Sequence, residues 1–212
     1  MNREAIDFLK TCEPAFTEHN DRIGLIELPA AKTKDPFIAL MKSITYQQLA
    51  ASAAGAIWKR IQALFAGEKP TPEMLLSLSD EKLRGAGLSR GKVLAMRDIA
   101  QKAVDGIVPS ARSISRMSEA AIYERLTQIR GVGPWTVEMV LIFTLRRPDV
   151  MPATDYAIRK GIQVLYRKRA LPTPRQIEKL TARWRPHRTT AALYLWRIAT
   201  ATKPVRRKTS TS

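Results

Sequence analysis

The chain has 212 residues, 45% of them hydrophobic, which suits one substantial core or two small lobes and excludes disorder throughout. Its single cysteine, Cys12, excludes an internal disulfide and a four-thiolate iron–sulfur cluster, and no apolar run reaches the roughly 20 residues that span a bilayer. A net charge of +17 points to a polyanionic partner.

Apolar residues recur at three- and four-residue spacing almost everywhere and β-branched alternation is missing, so the predicted class is all-α. In chain order the pattern predicts helices near 3–11, 36–50, 52–66, 72–76, 80–84, 90–104, 118–128, 135–145, 156–166, 174–182 and 188–201. Local punctuation supports these limits. Asp35-Pro36 opens one helix, the stretch from Gly67 to Pro72 separates two, Ser89 caps another and Thr173-Pro174 starts a later one. The segment from Val104 to Arg112, with Gly106 and Pro109, is the expected linker between a first helical lobe and the segment holding the motifs. The start, MNREAIDFLK, contains acidic residues and lacks a hydrophobic signal core, so an unexported protein is expected.

Charge is unevenly spread. Fifteen of the 36 Lys and Arg residues, but only one of the 19 acids (Glu178), lie from Arg159 onward. They alternate with apolar helical positions and with Trp184, Tyr194 and Trp196 instead of lining one face, which fits nucleic acid better than a lipid surface. The final segment 205–212, VRRKTSTS, reads as a basic, disordered tail, with 1–204 as one domain.

The most informative stretch runs from Leu126 through Ile129, Gly131, Val132, Gly133, Pro134, Trp135 and Thr136. An amphipathic helix ends at Gly131-Val132-Gly133, and Pro134, at a first helical position, starts another, so two helices meet at a very tight turn. Alternate glycines permit positive φ and close approach, and the first-turn amides of the second helix suit a phosphate without reading sequence. Gly-x-Gly-Pro alone reads first as a plain helix connector. Beyond it, Asp155 opens the helix at Tyr156 and, taken alone, is an ordinary N-cap, while Asp149 belongs to a polar turn.

The extended pattern L-x-x-I-x-G-V-G-P-W-T, followed by V-x-P-x-x-D ending at Asp155, resembles the helix-hairpin-helix (HhH-GPD) DNA glycosylase superfamily. The resemblance is nearest to 3-methyladenine DNA glycosylase II in a short form without an N-terminal β domain. It extends to Asp35-Pro36-Phe37, Ser43 through Leu49, Gly87-Leu88-Ser89 with Lys92, and Trp184 through Arg188 leading to Leu195-Trp196, about residues 35 to 200. It implies two helical lobes flanking a cleft, with Asp155 as the catalytic carboxylate and Gly131, Val132, Gly133, Pro134 and Thr136 as the DNA-binding hairpin. A carboxylate suits glycosidic cleavage because positive charge builds on the sugar in the transition state.

The superfamily's strand-cutting members carry a Schiff-base lysine directly after the Gly-Pro; Trp135 stands there, which implies base release by water alone. The resemblance further implies a wedge at Gln48, with Leu49 as second choice, and a base pocket of Trp135, Met139, Trp196 and Tyr46. Each also has a plain structural alternative, as core or as helix ends. Met139 stands where a relative has tyrosine. A monovalent cation held by the carbonyls of Thr127, Ile129 and Val132 is implied as well. Isolated His19 and His187 make zinc unexpected, and His187 is expected against backbone or solvent. The expected partner is double-stranded DNA with a damaged base, met by a monomer in the bacterial cytoplasm and nucleoid or the eukaryotic nucleus. Two alternatives stand beside removal of alkylated purines: a non-catalytic hairpin DNA-binding protein, and a glycosylase for a deaminated or oxidised base.

Overall fold

The structure, a computed structural model, describes residues 3–26, 28, 31 and 33–201. The expected tail at 205–212 lies outside the described residues. Among the described residues all regular structure is helical, and no helix is long and apolar enough to cross a membrane. The chain divides into two compact units, Ala30–Arg146 and the pair of segments Met1–Pro29 and Arg147–Ser212.

The unit Ala30–Arg146 holds α3 (Pro36–Tyr46), α4 (Ala51–Ala63), α5 (Pro72–Ser77), α6 (Asp80–Gly85), α7 (Arg90–Val104), α8 (Ala111–Ile114), α9 (Glu119–Leu126) and α10 (Pro134–Phe143). The predicted caps do their work here. The Asp35 carboxylate accepts the Phe37 amide, and the Ser89 hydroxyl accepts that of Lys92. Helix α7 is the spine, packed against both α3 and α5. Its buried face includes Val93, Met96 and Ile99, at helical spacing.

Val104 to Arg112 is not the boundary between units. It lies wholly within this one: the Ile107 and Val108 amides both donate to the Lys102 carbonyl, Val108 is buried, and Arg125 donates to the Gly106 carbonyl. Those bonds close the end of α7 and pin the turn, so the Gly and Pro there terminate a helix and the divisions fall after Pro29 and Arg146 instead.

The other unit draws on both ends of the chain. It contains α1 (Arg3–Cys12), α2 (Ala15–Ile23), α11 (Tyr156–Leu165), α12 (Pro174–Thr181), a 3₁₀ turn (Ala182–Trp184) and α13 (Arg188–Ala201). Helix α2 was not predicted, because AFTEHNDRI shows only Phe16 and Ile23 as anchors; Phe16 is nonetheless fully buried, edge-on to Trp184 at 5.0 Å between ring centroids. Trp184 is core. So is most of α13, whose buried run from Thr189 to Leu195 lacks a solvent-facing stripe. The half-buried His187 ring lies edge-on to Phe8, itself half-buried, at 5.1 Å between ring centroids.

Helices α11 and α13 approach until Gly161 touches the Leu195 backbone. Such contact requires the absence of a side chain, and it sets the distance between the two helices that carry Asp155 and Trp196.

Candidate active site

Asp155 sits just before α11 as its N-cap, in extended backbone at φ −64° and ψ 127°. Its Oδ1 accepts the Ile158 amide at 2.9 Å, satisfying one of the free donors of the helix's first turn. The same oxygen accepts the Trp196 indole N–H at 3.1 Å. The expected N-cap role and a bond to Trp196 that the sequence did not signal therefore coexist in one half-buried carboxylate. Two hydrogen-bond donors and the N-terminal end of a helix dipole converge on that carboxylate.

Trp196, half-buried on α13, orients the carboxylate directly. Trp196→Phe keeps an aromatic ring and removes that donor. Since a hydrogen bond to a charged group contributes about 1.5–3 kcal/mol, the single-turnover rate of a reaction that uses this carboxylate should fall about 10-fold or more, with a smaller change in KM. A rate equal to the parent's would remove Trp196 from any orienting role.

The loop leading to Asp155 is clamped upstream. Asp149, expected as part of a polar turn, lies in a bend and receives Arg188 Nε at 2.6 Å and Nη2 at 3.0 Å, while Nη2 also donates to the Asp149 carbonyl at 2.7 Å. Arg185 adds a bond at 3.0 Å from a largely exposed position, where it contributes little. Thr189 threads the same loop: its hydroxyl donates to the Arg147 carbonyl and accepts the Val150 amide. Helix α13 thus grips the loop through Arg188 and Thr189 near its start and Asp155 through Trp196 two turns later.

The hairpin belongs to the unit Ala30–Arg146. Between α9 and α10, Gly131 takes φ +76°, and an added Cβ there would meet Ala95 at 3.3 Å. Gly133 does not use left-handed backbone. It is extended at φ −95° and ψ 179° and forms the N-cap of α10, with open space where a Cβ would stand. Its carbonyl accepts the amides of Thr136 and Val137. No hydrogen bond among the described residues engages the amides of Gly131 or Gly133, so the backbone of this turn offers two donors to an anion.

Two members of the expected hairpin set have buried side chains. Val132 is buried, and Thr136 is 2% exposed with its hydroxyl accepting the Gln47 side-chain amide at 3.0 Å. Their side chains hold the turn together from inside, because the first turn of α10 packs inward. Pro134 is exposed, and Trp135 and Met139 are half-buried one helical turn apart on α10.

The candidate wedge lies in the turn from α3 to α4. Gln48 is exposed at φ +55° and Leu49 is 42% exposed, so both project from the surface as a wedge must. A left-handed non-glycine residue costs on the order of 1–2 kcal/mol and persists only where neighbours hold it. Here they do. Gln47 Nε2 donates to the Gly131 carbonyl and to Thr136 Oγ1, both at 3.0 Å, and Lys92 Nζ donates to the carbonyls of Thr45 and Gln47, both at 2.8 Å. Tyr46 is half-buried, with the Lys42 ammonium 5.6 Å from its ring centroid and its hydroxyl beside Gly55.

The carbonyl pattern suits the expected cation. Ile129 O accepts the Val132 amide, whereas no hydrogen bond among the described residues ends on the carbonyls of Thr127 or Val132. Neutral backbone oxygens are the donor type a hard monovalent ion takes.

The pattern of the HhH-GPD superfamily base excision DNA repair proteins matches residues 41–187, which span the wedge turn, the hairpin and Asp155. The chain belongs to that superfamily. It is 41% identical over 179 residues to DNA-3-methyladenine glycosylase 1 of Schizosaccharomyces pombe, covering 82% of this chain and 78% of that one. It is 34% identical over 179 residues to the alkylbase DNA glycosidase-like protein mag2 of the same yeast, covering 84% of each.

Among solved structures, the Schizosaccharomyces pombe 3-methyladenine DNA glycosylase in complex with abasic DNA superposes with a TM-score of 0.86 at 36% identity, over 92% of this chain and 95% of that one. DNA-3-methyladenine glycosidase of Bacillus halodurans gives 0.80 at 31% identity, over 92% and 88%. The superfamily match ends at His187, so Arg188 and Trp196, which hold the Asp155 loop, lie beyond it.

Sequence reasoning assigned no tertiary contact to Gln47, Lys92 or Arg188. Lys92 was noted only as a match in a middle segment, and no spacing rule pairs it with carbonyls 45 residues or more away.

Proposed function

We propose that this protein is a monofunctional DNA glycosylase that everts an alkylated purine of the 3-methyladenine or 7-methylguanine type from duplex DNA and hydrolyses its N-glycosidic bond. The observation that carries this is Asp155, held by the Ile158 amide and the Trp196 indole on one oxygen, in a chain of the superfamily named for base excision.

Alkylation at N3 or N7 makes the purine cationic, so the bond to the sugar breaks with its electron pair leaving on the base nitrogen, and the base departs neutral. Positive charge moves to C1′ and its ring oxygen. The Asp155 carboxylate stabilises that charge and orients the attacking water, whose oxygen bonds to C1′ while its proton passes to the carboxylate or solvent. An aromatic face such as Trp135, Trp196 or Tyr46 offers suits a cationic base. Trp135 also carries no amine, so no Schiff base to the sugar forms and the strand is left intact.

The amides of Gly131 and Gly133 grip a phosphate near the lesion, and a monovalent cation on the carbonyls of Thr127, Ile129 and Val132 would add positive charge beside that phosphate. Neither an iron–sulfur cluster nor zinc enters this chemistry. One everted nucleotide needs one protein molecule, so a monomer working in the bacterial cytoplasm and nucleoid, or in the nucleus, completes the proposal.

The test is a panel of duplexes containing 7-methylguanine, 3-methyladenine, hypoxanthine or 8-oxoguanine, with free base measured by chromatography and abasic sites by alkali. Release of the methylated purines, with strand breaks only after alkali, is expected. No release from any duplex would reduce the protein to a DNA-binding module, and breaks without alkali would overturn the monofunctional assignment.

A further inference from the structure

The wedge turn and the hairpin are far apart in sequence, yet a single helix face supports both. On α7, Lys92, Ala95 and Asp98 stand at three-residue intervals and so share one side of the helix. Lys92 holds the carbonyls of Thr45 and Gln47, at the end of α3. Ala95 faces Gly131, where only a small side chain leaves room for the turn. Asp98 Oδ2 accepts the Arg130 amide at 2.7 Å, just before the hairpin glycines. Gln47 then closes the arrangement from the other direction, bonding both the Gly131 carbonyl and the Thr136 hydroxyl.

We infer that Gln47 and Lys92 are positioning residues that lock the wedge at Gln48 to the phosphate-gripping turn, so that eversion of the base works against a fixed backbone grip. The inference rests on the glycosylase reading of the hairpin and adds residues that touch neither the base nor the sugar. Its physical basis is preorganisation. Pushing a residue into a base stack opposes unstacking, and a turn free to recoil would yield before the stack did. Gln48 adjoins the residue bonded on both sides, through its carbonyl to Lys92 and through its side chain to the hairpin, and its left-handed backbone needs such support.

Burial lowers the Lys92 pKa from its ordinary value. The ammonium still meets two carbonyls, which is the arrangement a charged donor requires.

The experiment separates eversion from chemistry. Duplex DNA with 2-aminopurine beside a 7-methylguanine is titrated with the Asp155→Asn chain, where fluorescence reports unstacking without base release. The same background carries Gln47→Ala, Gln47→Glu, Lys92→Met or Lys92→Arg. Loss of two neutral hydrogen bonds should weaken the eversion equilibrium about 10-fold in Gln47→Ala. Gln47→Glu, the same size without N–H donors, should match it. Lys92→Met should show a similar defect and Lys92→Arg, which retains a charged donor, should recover most of it.

Because both residues hold one turn, the double variant should lose little more than either alone, and affinity for undamaged duplex should change less than twofold. Eversion unchanged in Gln47→Ala, with the Asp155→Asn parent giving a clear signal, overturns the inference; that variant removes a surface-edge side chain and tests the idea even if Lys92→Met folds poorly. Equal losses of eversion and undamaged-duplex affinity also overturn it, since they mark a general defect. No signal from the Asp155→Asn parent, together with no base release by the unsubstituted chain, defeats the glycosylase reading itself and the inference with it.

Discussion

Asp155→Asn should abolish base release while leaving the fold and DNA binding in place. The side-chain oxygen of asparagine still accepts the Ile158 amide and the Trp196 indole, and asparagine ranks with aspartate as an N-cap. The negative charge is lost, together with one acceptor oxygen. Removing a preorganised electrostatic partner of the transition state lowers rates about 10²–10³-fold, and loss of help to the water adds to this, so a fall of at least about 10³ in single-turnover release of 7-methylguanine is expected. The melting temperature should move by no more than about 2 °C.

Affinity for lesion DNA should hold or rise slightly, because an anion no longer faces a polyanion. Asp155→Ala would confuse the outcome by also costing about 1 kcal/mol of helix capping. A release rate within tenfold of the parent in Asp155→Asn would end the catalytic assignment.

Gly161→Ala should produce the largest loss of stability of any single methyl addition considered. An added Cβ would lie 2.4 Å from the Leu195 carbonyl oxygen and 2.9 Å from its carbonyl carbon and Cβ. The obstacles are backbone and the stem of a fully buried side chain, so no flexible end can move aside. Overpacking of this kind costs about 3 kcal/mol or more, visible as a lower urea midpoint with unchanged slope.

Function should suffer beyond stability. Asp155 caps α11 six residues before Gly161, and Trp196 follows Leu195 on α13, so prising the helices apart stretches the 3.1 Å bond that orients the carboxylate. Gly91→Ala supplies the contrast. It sits in the first turn of α7 with nothing within 4 Å of its added Cβ, so the same methyl should stabilise by about 0.5–1 kcal/mol. If both substitutions behave alike, the close approach of α11 and α13 is not what constrains Gly161.

Most helices were legible because their signals are local. Asp35-Pro36, Ser89 and Thr173-Pro174 cap helices with side chains two or three residues from their partners, and each cap forms as read. Helix α2 escaped because its single deep anchor, Phe16, is buried by Trp184, a residue 168 positions later. Helix α3 was read four residues too long for a similar reason. It stops at Tyr46 where Lys92 takes the last carbonyls and Gln48 turns left-handed, which no pattern within residues 36–50 signals.

The sequence by itself determined the helical class, the glycine-bent hairpin, the aspartate at the head of α11 and the missing Schiff-base lysine, because spacing, backbone freedom and residue chemistry are properties of short segments. Only the tertiary structure decided that the ends of the chain form one unit, that Arg188 and Trp196 hold the Asp155 loop from α13, that Val132 and Thr136 face inward, and that Gln47 and Lys92 tie the α3–α4 turn to the hairpin. Those contacts join residues roughly 40 to 90 positions apart. A hydrogen bond across such a span is set by how helices pack, and packing depends on the whole set of buried side chains at once, not on any window a motif occupies.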